Sequence, residues 1–132
     1  MSTLSLAMIT LVVPDYDDAI AHYCGDLGFA LIEDSVVDAD KRWVVVSPGA
    51  GASLLLAKAK GEQQIAAIGR HAGGRVGLFL HTSDFDATLA RYLDAGIEII
   101  GSPRAEAYGR VVVFADKYGN KWDLIEPASR PR

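Results

Sequence analysis

The sequence contains a single cysteine, Cys24, among its 132 residues. One cysteine excludes an intramolecular disulfide and any zinc site that is built from several cysteines. Cytosolic proteins keep their thiols reduced and rarely depend on disulfides, so we expect a cytoplasmic location.

Long apolar runs and concentrated positive charge are also missing. The first apolar stretch ends at Pro14 and Asp15, well short of the ~20 residues that a membrane-spanning helix needs, and no basic segment precedes it as in a signal peptide. The 13 Lys and Arg residues face 17 Asp and Glu residues, which gives a net charge of −4, and they form no basic stripe. We therefore expect neither a membrane nor a nucleic acid as a partner.

What the sequence does contain is an internal repeat. Segment 15–23, DYDDAIAHY, matches segment 84–92, DFDATLARY, and a glycine and an apolar stretch follow each copy. In both copies the apolar residues recur at helical spacing, an aspartate precedes the helix as its N-cap, and the glycine lies just past its end. Each copy therefore predicts an amphipathic helix, with His22 on the solvated face of the first helix and Cys24 on its core-facing side.

Strand candidates surround both helices in the same order. They are residues 5–13, 29–37, 42–47 and 53–57 in the first half, and 75–81, 97–100, 110–115 and 121–126 in the second. Each half thus reads β-α-β-β-β, which predicts one domain over residues 1–132 made of two modules, 4–57 and 75–127, joined by a linker, 58–74. A single module leaves one face of its sheet uncovered, and a second copy can cover it.

The repeat carries two recognisable sequence patterns. PDYDDAIAHY followed by LGF opens the first module, and DKYGNKWDLIEP closes the second. With the tandem modules, these patterns resemble the vicinal oxygen chelate superfamily, which includes glyoxalase I, bleomycin-resistance proteins, fosfomycin-resistance enzymes and extradiol dioxygenases. The resemblance implies an α+β fold in which the modules form a cupped, mainly antiparallel eight-stranded sheet, and it implies a homodimer.

The resemblance also implies where a metal would bind. Metal-using members hold a divalent ion on four inward side chains, one pair from each module, and these positions correspond here to Met8, Leu55, Gly77 and Asp123. Only Asp123 offers a donor suited to Zn, Fe, Ni or Mn, which normally need about three protein ligands of N, O or S type. We therefore expect no metal site and no cofactor.

Asp123 is the charged residue of an otherwise apolar strand, between Trp122 and Leu124. Burying an unpaired carboxylate costs several kcal/mol, so its position needs a reason. It is a candidate catalytic base or a polar anchor for a ligand; the alternative is a hydrogen-bonded, partly hydrated residue near a strand edge.

The other candidate ligand-contacting residues are aromatic or lie beside the expected metal positions. Strand alternation puts Phe79 and His81 on the same face as Gly77, although His81 could equally be a surface or capping residue. Trp43 and Tyr108 are candidates to line a pocket, whereas alternation turns Trp122 towards a helix and the core.

Together these observations favour a protein that binds a small organic molecule in an apolar cup without a metal, with Asp123, Tyr108, Trp43 and His81 orienting it. Bleomycin-resistance proteins generally offer an acidic surface to a cationic drug, and a charge of −4 is mild by comparison. The alternatives are a metal-dependent lyase of glyoxalase type, an extradiol dioxygenase, or a metal-free isomerase or lyase that uses Asp123 as a base. A purely structural or regulatory domain would instead fill the cup with its own side chains.

Overall fold

The computed structural model describes residues 2–129. They divide into two compact units, the first ending at Ile68 and the second beginning at Gly69. Each unit has the element order β-α-β-β-β, and one further short helix ends the first. The α+β class and the tandem order predicted from the repeat are confirmed. No helix within the described range is long and apolar enough to cross a membrane.

The first unit is built on one mixed sheet. Its strands are β1 (Met8–Val13), β2 (Ala30–Val36), β3 (Arg42–Ser47) and β4 (Ser53–Lys58), and its helices are α1 (Tyr16–Ile20) and α2 (Gly61–Ala67). The strand order is β1-β4-β3-β2, with β1 parallel to β4 and the other neighbours antiparallel.

The second unit repeats this topology. Its elements are β5 (Val76–His81), α3 (Phe85–Asp94), β6 (Glu98–Glu106), β7 (Gly109–Ala115) and β8 (Lys121–Pro127). The strand order is β5-β8-β7-β6, again with one parallel pair, β5 and β8. The eight strands therefore form two four-stranded sheets and not one continuous sheet, because each described ladder joins strands of the same unit.

The predicted helix caps are present in both units. The Asp15 carboxylate accepts a hydrogen bond from the Asp18 amide at 2.9 Å, and the Asp84 carboxylate accepts one from the Ala87 amide at 3.1 Å. These bonds satisfy amides of the first turn, which have no partner inside the helix. The cap positions fix where each helix begins relative to the strand before it.

The helix-facing side of each sheet forms the core. In the first unit its fully buried members include Leu11, Val13, Val44, Val46 and Leu56; in the second they include Phe85, Val112, Phe114 and Leu124. Trp122 stacks on Phe114 with ring centroids 5.7 Å apart, so its predicted orientation towards the core is confirmed. Alternation then directs the neighbouring Asp123 to the opposite face of the sheet.

An arginine clamps each main helix to its sheet. Arg42 lies over the Tyr16 ring at 5.2 Å and pairs with Asp17 at 2.9 Å. In the second unit Arg110 lies over the Phe85 ring at 4.5 Å and pairs with Asp86 at 3.1 Å. The repeat therefore preserves the same contact between the first helical turn and the third strand of each unit.

Two details of the first helix differ from the sequence-based expectation. His22 is buried, with 3% of its surface exposed, and its Nδ1 lies 2.9 Å from Asp26 Oδ2; Cys24 is only partly buried. The reason is that α1 continues as a π-helical segment, Ala21–Asp26, which makes a bond from the Leu27 amide to the His22 carbonyl. The wider turn changes the angular spacing, so a 3.6-residue period misassigns His22 and Cys24, although Tyr23 is buried as that period predicts.

Strand β6 also differs, since it continues to Glu106 instead of ending at Ile100. Its pairing with β7 is interrupted between Ile100 and Arg104 and then resumes with Arg104 opposite Val111. Pro103 lies within the interruption and lacks the amide that a regular ladder requires, which is typical of proline at a bulge. The second part of β6 brings Arg104 onto the sheet.

Candidate functional site

Three of the candidate residues, Asp123, Phe79 and His81, lie on the face of the second sheet opposite α3. Asp123 pairs with Phe79 on one side and with Val113 on the other, and paired residues share a face of a sheet. His81 lies on the same face, opposite Ile125. We call this group, with Arg104, the Asp123 face. Phe79 is 63% exposed there, so a large aromatic surface lies beside the carboxylate.

Asp123 itself is buried. It lies on β8, between β5 and β7, and only 8% of its surface is exposed. Its Oδ1 has no hydrogen-bond partner among residues 2–129. Burial raises the pKa of this carboxyl above its ordinary value, and the Arg104 charge opposes that rise. The alternative of a hydrated residue at a strand edge is therefore wrong.

Arg104 is a member of the site that the sequence did not reveal. It lies opposite Val111, which itself lies opposite Ile125, so its side chain shares the Asp123 face. Its Nη2 donates to the Tyr108 hydroxyl at 3.5 Å, and its Nε lies 3.6 Å from Glu106 Oε2. The only signal in the sequence was the alternation of Arg104, Glu106 and Tyr108 after Pro103, which the bulge obscured.

Tyr108 and Gly77 each have a local structural explanation. Tyr108 lies in the turn between β6 and β7, 49% exposed, and orders Arg104 through its hydroxyl. Gly77 lies at the irregularity between Val76 and Leu78, and a Cβ added there would come within 2.5 Å of the Ala72 Cβ. Glycine at position 77 is thus required by the segment that precedes β5.

The remaining candidates lie on the first sheet, on the face opposite α1. Leu55 pairs with Thr10 of β1 and with Val45 of β3, and Trp43 lies two residues before Val45 on that strand. Trp43 is 36% exposed and Met8 is 37% exposed. This face therefore presents apolar and aromatic surface where Leu55, Met8 and Trp43 were expected to contact a ligand.

The residues at the expected metal positions do not suit a divalent ion. In the first unit they are Met8 and Leu55, a thioether and an alkyl group; in the second they are Gly77 and one carboxylate, Asp123. Within residues 2–129, no group of three His, Cys, Asp or Glu side chains is placed to hold a metal. One carboxylate and one thioether are fewer than the roughly three N, O or S ligands that Zn, Fe, Ni or Mn normally needs.

The turn between β7 and β8 positions Asp123. The Asp116 carboxylate, 4% exposed, accepts from the amides of Tyr118 and Asn120 at 3.0 Å and from the Trp122 indole at 3.0 Å. The Asn120 side chain in turn accepts from the His71 amide at 3.2 Å. The hydrogen bonds of the DKYGNKW turn therefore fix the register of the strand that carries Asp123.

A small cleft lies beside this turn. His71, Arg75, Gly77, Asn120 and Lys121 are among the residues that line it, and its volume is about 10 Å³. That is room for about one water molecule. The cleft is too small for an organic ligand and lies apart from Asp123.

Comparison with known proteins adds to this geometry. Residues 5–124 match the family model of the Glyoxalase/Bleomycin resistance protein/Dioxygenase superfamily. The chain belongs to this superfamily. The family resemblance inferred from the two sequence patterns is therefore confirmed.

Individual proteins also resemble the chain over nearly its whole length. An uncharacterized protein of Shewanella frigidimarina is 50% identical over 125 residues, which are 92% of this chain and 93% of that protein. The crystal structure of UcmS2 matches with a TM-score of 0.80 and 28% identity, covering 95% of this chain and 99% of that one. TnmS3, an antibiotic binding protein from Streptomyces sp. CB03234, matches with a TM-score of 0.76 and 30% identity, covering 97% and 99%.

Proposed function

We propose that this superfamily member binds a small, largely apolar organic molecule on the Asp123 face and does so without a divalent metal. The observation that carries the proposal is the set of residues at the family's metal positions. Met8, Leu55 and Gly77 replace hard donors, while Phe79 exposes aromatic surface beside the remaining carboxylate. Apolar surface with a few polar groups is what small-molecule sites offer.

The similarity to TnmS3 supports the same class of ligand. That protein is described as antibiotic binding, and its chain aligns with 97% of this one. An antibiotic-like organic molecule is therefore the ligand class to test first. On the first sheet, Trp43, Met8 and Leu55 are proposed to contact apolar ligand surface through the face opposite α1.

The test is a screen of antibiotics and small aromatic compounds by thermal shift, followed by isothermal titration calorimetry. A binder at a hundred times its Kd should stabilise the protein by about 2.7 kcal/mol. Phe79→Ala should weaken binding, because it removes exposed aromatic surface beside Asp123. Leu93→Ala is the matched control, since Leu93 is 57% exposed but lies on helix α3. Equal loss of affinity in both variants would contradict the placement.

Metal dependence is tested on the same protein. Dialysis against Fe²⁺, Ni²⁺, Zn²⁺ or Mn²⁺ should leave the melting temperature and the ligand affinity unchanged, because one carboxylate cannot complete the coordination of these ions. Near-stoichiometric metal that is lost in Asp123→Ala would overturn the metal-free proposal and favour a lyase or dioxygenase of this superfamily.

The burial of Asp123 favours one second candidate, a metal-free isomerase or lyase. Burial raises the pKa of its carboxyl, and a raised pKa brings a carboxylate closer to the range of a useful general base. Incubation of a bound ligand in D₂O separates the two functions. Binding alone leaves the carbon-bound hydrogens of the ligand unexchanged, whereas a base introduces deuterium at carbon in the wild type and not in Asp123→Asn.

A further inference from the structure

The unpaired oxygen of Asp123 constrains the chemistry of the ligand. Oδ1 is buried and has no hydrogen-bond partner among the described residues, although nearly all buried polar atoms in folded proteins have one. Leaving a buried acceptor unsatisfied destabilises the folded protein, and a charged group does so more strongly. A ligand that donates a hydrogen bond to Oδ1 recovers this cost, while a purely apolar ligand does not.

Arg104 constrains the charge of that donor. Its guanidinium is on the same face and acts electrostatically on Asp123, yet it directs its own hydrogen bonds to Tyr108 and its ion pair to Glu106. Asp123 therefore lies in the field of a cation that leaves its acceptor atom free. A second cation brought to Oδ1 is attracted by the Asp123 carboxylate but repelled by Arg104, so Arg104 reduces the advantage that the carboxylate gives to a cation over a neutral O–H or N–H group.

We infer that the Asp123 face selects an apolar or aromatic ligand carrying a hydroxyl or amide N–H group that donates a hydrogen bond to Asp123, and that Arg104 weakens the binding of cationic ligands. This inference rests on the proposed function and specifies the ligand class of the same site. Tyr108 contributes a second polar group, because its hydroxyl accepts from Arg104 and keeps its own proton to donate to a ligand oxygen.

Four naphthalenes of similar size test the inference by calorimetry at pH 7. They are 2-naphthol as the neutral donor, 2-methoxynaphthalene without a donor, 2-naphthylmethylamine as the protonated cation, and 2-naphthoate as the anion. The wild-type protein should bind 2-naphthol about tenfold more tightly than 2-methoxynaphthalene, as expected for one hydrogen bond to a charged acceptor.

Variants of Asp123 locate the acceptor. In Asp123→Leu the preference for 2-naphthol over 2-methoxynaphthalene should disappear, and in Asp123→Asn it should shrink, because a neutral amide oxygen is the weaker acceptor. Asp123→Leu should melt at a higher temperature than the wild type, since it removes an unsatisfied buried carboxylate, and this confirms that the variant is folded. A preference that survives in both variants would overturn the role of Asp123.

Variants of Arg104 locate the charge discrimination. Arg104→Gln should improve the affinity of 2-naphthylmethylamine relative to 2-naphthol by about tenfold, because the repelling cation is gone. Arg91→Gln is the matched control, since Arg91 is an exposed arginine on α3 and its loss changes the net charge equally. An equal gain in both variants would show a long-range charge effect and overturn the role of Arg104.

The two proposals fail in distinguishable ways. Saturable binding of all four compounds with equal affinity leaves the proposed function intact and overturns the inferred selectivity. No saturable binding of any of the four contradicts both, beginning with the proposed binding of a small aromatic molecule.

Discussion

Leu55 in the first unit and Asp123 in the second lie at the same place in two copies of one sheet. Leu55 is flanked by Thr10 and Val45, and Asp123 is flanked by Phe79 and Val113. Both residues are on interior strands and on the face away from the main helix. The copies therefore share a backbone that accommodates either residue, so the fold itself does not require the carboxylate of the second copy.

The turns that precede these two residues differ in the same sense. In the first unit, residues 48–52 form the turn, where the Gly49 amide donates to the Ser47 hydroxyl at 3.0 Å on the exposed surface. In the second unit Asp116 is buried and joins the turn to Trp122. An exposed side-chain hydrogen bond supports the turn before Leu55, whereas buried hydrogen bonds to Asp116 hold the turn before Asp123. A polar group is oriented accurately only when the register of its strand is fixed in this way.

The largest expected effect comes from removing the hydrogen bonds that Asp116 accepts. Asp116→Ala should destabilise the protein by about 3–5 kcal/mol, because several buried donors, including the Trp122 indole and the Asn120 amide, lose their acceptor. Ser47→Ala removes one exposed bond in the corresponding turn and should change the unfolding free energy by less than about 0.5 kcal/mol. Urea unfolding monitored by circular dichroism measures both. Similar losses in the two variants would show that the turns are equivalent after all.

The scaffold could largely be predicted from the sequence because it is repeated. Asp15 and Asp84 act as the predicted caps, and Gly28 and Gly96 have φ values of 84° and 78°, the left-handed geometry expected of glycine just past a helix end. Because the capping aspartate and the glycine occur in both copies, each helix assignment supports the other.

What the sequence could not reveal depends on backbone irregularities. The π-helical segment, Ala21–Asp26, turned His22 inwards, and the interrupted pairing of β6 brought Arg104 onto the Asp123 face. The π-helical segment changes the angular period of the helix, so a 3.6-residue period misassigns His22. The interruption at Pro103 hides the second part of β6, because the sequence pattern ends that strand at Ile100. The sequence therefore identified Asp123 as a candidate site residue but did not identify Arg104.

The arginine clamps give a second, smaller test of how alike the two units are. Arg42 makes a bidentate contact with Asp34 through Nε at 3.1 Å and Nη2 at 2.7 Å, in addition to its pair with Asp17. Arg110 pairs with Asp86. Arg42→Ala should therefore lower the melting temperature by a few degrees and by more than Arg110→Ala does, because it breaks more charge-assisted bonds.

Lysine variants refine this test. Arg42→Lys keeps the charge but cannot form the bidentate contact, so it should recover only part of the loss caused by Arg42→Ala. At high salt the difference between the arginine and alanine proteins should shrink, since exposed ion pairs are screened. A larger loss at position 110 than at position 42 would show that the helix of the second unit depends more on its clamp.

The smallest effect is the pH dependence contributed by Asp123, for which Leu55 has no counterpart. Burial raises the pKa of Asp123 above its ordinary value of 3.8, and Arg104 opposes the rise. Between the unfolded and folded pKa values the native state binds more protons than the unfolded state, so stability falls as pH rises through this window. Relative to Asp123→Asn, the wild-type protein should lose stability from about pH 4 upwards and reach a constant difference above the folded pKa.

Chemical unfolding of both proteins between about pH 3.5 and about pH 8 measures this difference, because that range extends from the ordinary pKa of a carboxyl to well above it. The other charged or titratable groups on or beside the Asp123 face include Arg104, Glu106, His81 and Tyr108. They are present in both proteins, so their titrations cancel to first order. Arg104→Gln should move the window to higher pH, because it removes the charge that opposes the shift. A difference that grows as pH falls would mean that the folded protein stabilises the Asp123 carboxylate, and the oxygen would then not be available to a neutral donor.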